Sequence, residues 1–144
     1  MRRFGSSPET RAIAPATLQA AALGAILLAS AFLVAGLTTQ ADYDFKFYVQ
    51  LAMLALIAGF IFGGLATGLA LMLAGVPIAR IAGYRLESRV GTAVAMGTAI
   101  VGIAAFQAVT GRDEFFAMAA ACFALPAAVL YRRQVLLERV LERP

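Results

Sequence analysis

The sequence predicts an all-α integral membrane protein with four transmembrane helices arranged as two antiparallel hairpins, and three observations lead there. Four long apolar runs, residues 18–37, 47–76, 90–109 and 115–131, contain no Asp, Glu, Lys, Arg or His. Charged residues make up only 14% of the chain, against about 25% in soluble domains, and all of them lie between or outside the runs. The basic residues also gather on alternate connections. Arg2, Arg3, Arg11, Arg80, Arg85, Arg89, Arg132, Arg133, Arg139 and Arg143 flank one set of helix ends with Glu9, Glu87, Glu138 and Glu142, a surplus of +6. The other set holds Lys46 and Arg112 against Asp42, Asp44, Asp113 and Glu114, a balance of −2, which completes the net +4. Positive flanks stay on the cytoplasmic side, so both termini and the central loop are expected there.

Residues 1–16, with Gly5, Pro8 and Pro15, read as a flexible cytoplasmic arm with too little apolar surface to fold alone. Residues 17–133 form the membrane domain. Its first run exceeds the 7–15 apolar residues of a signal peptide, so it is expected to be retained as a helix. Small residues recur along it at Ala21, Ala25 and Ala29, with Gly24 alongside. Tyr43, Phe45, Phe47 and Tyr48 then form an aromatic belt at the outer interface.

The second run is longer than a perpendicular crossing needs at roughly 1.5 Å per residue, and Pro77 is expected to stop it. Gly59, Gly63, Gly64 and Gly68 give it two GxxxG spacings, which predict a flat groove for close helix packing. The loop that follows mixes Ile78, Ile81 and Leu86 with Arg80, Arg85 and Arg89, a pattern suited to an anionic membrane surface or a partner's acidic face.

The third run carries three small-residue spacings: Gly91-Ala95-Ala99, Ala93-Gly97 and Thr98-Gly102. Gly111-Arg112-Asp113 predicts a tight turn into the fourth run, whose Pro126 predicts a kink. Arg132 and Arg133 are placed to reach headgroups. The tail, residues 134–144, predicts a short amphipathic helical extension. Its face of Leu136, Leu137, Val140 and Leu141 is a candidate for docking a partner helix.

The membrane runs contain no Asp, Glu, Lys, Arg or His, which argues against proton relays and paired-acid hydrolysis. Without His there is no imidazole ligand for haem and no base to activate Cys122. No cluster of residues has metal-ligand spacing, and the glycines sit inside an apolar run rather than between a strand and a helix. No cofactor, metal or catalytic residue is therefore expected. The basic pI needs no nucleic acid to account for it.

Gln50 and Gln107, each near an outer helix end, are the polar groups inside the runs that could hydrogen-bond to each other. The expected function is a non-catalytic accessory or scaffold subunit. Its helix-packing residues are Gly59, Gly63, Gly64, Gly68, Gly97 and Gly102, and its partners are membrane lipids and other membrane subunits or further copies of itself. The alternatives are a small homo-oligomeric channel or carrier with Gly59 to Gly68 beside a narrow passage, or a lipid-interacting assembly factor. The bias toward Arg over Lys, with abundant Ala and Gly, points to a bacterial cytoplasmic (inner) membrane.

Overall fold

The computed structural model describes residues 7–38, 44–83, 87, 89–111 and 113–142. They are all-helical without strands, and four helices are long and apolar enough to cross a membrane: α1 (Pro8–Thr38), α2 (Phe45–Ala82), α3 (Arg89–Thr110) and α4 (Glu114–Glu142). Local chemistry explains their interruptions. Pro15 cannot donate to the Arg11 carbonyl, and α1 loosens for one residue at Ala12. Gly83 (φ 50) and Gly111 (φ 82) follow α2 and α3 in backbone conformations that L side chains resist. Asp113 starts α4, its carboxylate accepting a 2.8 Å hydrogen bond from the Phe115 amide.

Pro77 does not stop α2, which continues to Ala82. Immediately before it, Leu71–Gly75 forms a wide π turn, and Gly59–Gly63 forms another. Bonding at i→i+5 breaks the i→i−4 ladder, where a proline would otherwise lose a bond and clash. The two turns also keep α2 facing inward. Ala52 and Ala79 are both buried, yet at about 100° per residue they would lie some 7.5 turns apart, on opposite faces. Each wide turn absorbs about one residue, which leaves just under seven turns and restores a common face.

Helix α1 is central and packs along both α2 and α4. Its small residues meet the glycines of α2 in a ladder. A Cβ built on Gly59 would lie 3.6 Å from Ala25 Cα, one on Gly64 3.2 Å from Ala21 Cβ, and one on Gly68 3.4 Å from Thr17 Cγ2. Steps of four on α1 thus match a five-residue and a four-residue step on α2, the longer one falling at the first π turn.

Phe123 of α4 closes the other side. A Cβ on Gly24 would sit 2.3 Å from its Cδ1, and one on Gly63 would sit 2.3 Å from its Cε1. The ring therefore lies between two backbones with no room for a methyl on either side. Helix α3 stands apart: it packs along α4 and has no comparable packing on α1 or α2.

At one end of the bundle the arm differs from its expectation. Residues 1–6 lie outside those described, but Pro8 onward is helical, and Ala12 and Ala16 are 0% exposed. They share a core with Ile13, Leu71, Ala79, Tyr131 and Val135. The apolar surface missing from the arm is supplied by the over-long ends of α2 and α4.

The tail continues α4 without a break to Glu142, with its polar face turned inward. Arg139 reaches Glu9 at 2.8 Å and the Gly83 carbonyl at 2.6 Å. Arg11 pairs with Glu138 at 2.9 Å and with Glu142. Leu137, Val140 and Leu141 are left exposed on the outside.

Candidate functional site

The packing glycines fall into two groups. Gly59, Gly63, Gly64 and Gly68 do not form one groove open to a second protein: Gly64 and Gly68 face α1, Gly63 faces Phe123, and Gly59 meets both. Their neighbours come from the same chain. Gly97 and Gly102 are the reverse case: beyond the adjoining backbone of α3, no described atom lies within 4 Å of a Cβ built on either.

The difference follows from how α3 is seated. Of its three small-residue spacings, the Gly91-Ala95-Ala99 stripe turns inward, with Gly91 and Ala99 buried and Ala95 half-buried. Ala93 and Gly97 are exposed, as are Ile100, Val101, Gly102, Ala104 and Ala105. Phe106 stacks edge-on against Phe116 of α4, with ring centroids 6.3 Å apart. A smooth outer surface results, where another helix could bring its backbone close.

Two apolar clefts flank α3. One, of about 560 Å³, separates its start from the end of α2 and is lined by Ile78, Ile81, Gly83, Val90 and Val94. The other, of about 580 Å³, lies between α1, α3 and α4, where Leu23, Leu27, Met96, Leu125, Pro126 and Val129 form most of the wall. Pro126 sits in this wall, and Cys122 lines the same cleft as a free thiol.

The expected glutamine pair does not form. Gln50 is exposed on α2 and Gln107 half-buried on α3, and no hydrogen bond joins them. Among the described residues α3 packs along α4 and has no comparable packing on α2. Thr98 donates to its own helix at the Val94 carbonyl, 2.8 Å away.

Among the basic positions, Arg80 donates to Ser7 Oγ at 3.4 Å. Arg132 is half-buried and Arg133 exposed. Arg89 opens α3, and Arg85 lies outside the described residues.

Several residues that hold the structure together were not singled out from sequence. Phe123 is one, and Glu9, Arg11 and Arg139 are others, together with Tyr131, whose hydroxyl donates to the Glu9 carbonyl at 3.0 Å. Glu138 and Glu142 stand at i, i+4 on one helix face, which was a legible request for a cation. Nothing local indicated that Arg11 would supply it.

These groups form a structural clasp, each charge matched by a partner, and no group of three or more potential metal ligands occurs among the described residues. Compared with known proteins, the chain matches no family model, no curated protein and no solved structure.

Proposed function

We propose that the protein is a non-catalytic accessory subunit of a cytoplasmic membrane, docking through the outer face of α3 onto a larger membrane protein. The observation that carries this reading is the contrast between the glycine faces. Those of α1 and α2 are filled from within, whereas Gly97 and Gly102 on α3 meet no other described part of their own chain. Small-residue faces favour helix association in lipid because they let backbones and their dipoles approach closely. A helix attached along one side only, and flanked by clefts, is suited to contribute its free side to a second protein.

The topology proposed with this reading is two antiparallel hairpins. The N-terminal arm, the α2–α3 connection and the end of α4 would then face the cytoplasm, as the basic surplus on those segments supports. The contacts from Arg139 to Glu9 and to the Gly83 carbonyl support this grouping.

Purification in mild detergent followed by mass spectrometry tests the docking. The wild type should carry a different polypeptide at fixed stoichiometry. Gly97→Leu with Gly102→Leu should release it while leaving the helix content and elution of the chain unchanged. A chain purified alone, or only as copies of itself, would refute the reading.

A further inference from the structure

The structure assigns the cleft between α1, α3 and α4 to one acyl chain of an anionic phospholipid, with Arg133, Gln134 and Gln19 receiving its phosphate. Three features lead to this occupant. The first is length. On α4 the lining runs from Ala121 to Leu130, a rise of about 13.5 Å at 1.5 Å per residue. That is close to half of a ~30 Å hydrocarbon core, so the cleft is as deep as one leaflet. Its volume of about 580 Å³ also falls within the usual range of ligand pockets, roughly 300–1,000 Å³.

The second feature is position. Arg133 follows Leu130 at i+3 and Val129 at i+4, so it continues the face of α4 that lines the cleft. From Phe115, in the first turn of α4, to Arg133 the helix rises by about 27 Å, close to the thickness of a hydrocarbon core, which puts the guanidinium at the far headgroup level. Gln19 stands at i−4 from Leu23 on α1, at the same end of the opposite wall. Gln134 Nε2 donates to Gln19 Oε1 at 3.2 Å, bridging the two walls and leaving the Gln19 amide hydrogens free to donate.

The third feature is charge. Arg133 is exposed and makes no ion pair or hydrogen bond with any described residue, unlike Arg11 and Arg139 at the same end. A guanidinium without a described partner at the polar end of an apolar groove complements a lipid with a chain and a net negative head. A second copy of the chain is the competing occupant.

The test uses the full chain in nanodiscs of phosphatidylcholine doped with phosphatidylglycerol, with bound lipid counted by native mass spectrometry after release. The wild type should retain phosphatidylglycerol over phosphatidylcholine by roughly fivefold, the preference that one arginine near a headgroup confers. Arg133→Gln should bring the two to near parity, whereas Arg80→Gln, which removes a charge from Ser7's side of the bundle, should leave the preference intact. Leu125→Trp, which fills the cleft, should remove both adducts while the chain elutes as before. An unchanged preference in Arg133→Gln, or equal losses in Arg133→Gln and Arg80→Gln, would overturn the assignment. Efficient Cys122–Cys122 cross-linking between two chains would do the same, since it would place a second copy in the cleft.

Discussion

Replacing Gly63 by alanine places a methyl against the Phe123 ring, and the sign of the effect depends on whether that ring is present. The new carbon would lie 2.3 Å from Cε1, 2.4 Å from Cζ and 2.7 Å from Cδ1, far inside the ~3.5 Å of an ordinary carbon contact. The ring has no retreat, because its other side lies against Gly24 with equally little space. Overpacking of this kind costs about 1–3 kcal/mol, set against a gain of up to ~1 kcal/mol from replacing a helical glycine. Gly63→Ala should therefore destabilise by about 1–2 kcal/mol. In a Phe123→Ala background the clash disappears and the same change should stabilise by about 0.5–1 kcal/mol. The coupling between the two sites would be about 1.5–3 kcal/mol. Gly102→Ala, whose methyl meets no described side chain, gives the baseline and should stabilise in either background. Denaturant unfolding of the four variants in mixed micelles measures the cycle. An equal penalty for Gly63→Ala with and without the ring would refute the wedge.

Three further outcomes follow from the packing. Deleting Phe62, an exposed residue within the first π turn, should close that turn to ordinary helix and leave a folded, monodisperse protein. Deleting the exposed Leu56 from the α-helical stretch should instead rotate the segment below it by about 100° and abolish folding; size-exclusion profiles compare the two. Arg139→Ala removes the partner of Glu9 and the donor to the Gly83 carbonyl, and should cost about 2–3 kcal/mol. Amide exchange at Ala12 and Ala16 should rise well above the exchange in the middle of α1. Gly64→Leu, facing Ala21, should prevent folding, whereas Gly97→Leu should not; circular dichroism after extraction distinguishes them.

The four spans were legible because lipid excludes charge, and apolar runs this long without Asp, Glu, Lys or Arg are characteristic of a bilayer crossing. The glycines of α2 were legible as packing surface, but which helix they faced was not. The five-residue step from Gly59 to Gly64 was the available cue to a wide turn, and a plain GxxxG pattern concealed it. Phe123 could not be told from a lipid-facing aromatic, since in a bilayer both faces of a helix are apolar. The clasp was hidden for a different reason. Arg11 and Glu138 are 127 positions apart, so the arm looked unable to fold when read alone. Once the tail's charges turned inward to meet it, the leucine face turned outward, opposite to what amphipathicity suggests for a soluble helix.

A photo-crosslinker placed at Val101, an exposed position between Gly97 and Gly102, tests the docking face in intact membranes. It should capture one polypeptide other than this chain and lose it when Gly97 is changed to Leu. The same probe at Leu65, on the exposed side of α2, should capture none. A Val101 probe that captures only lipid or further copies of this chain would contradict the proposed role.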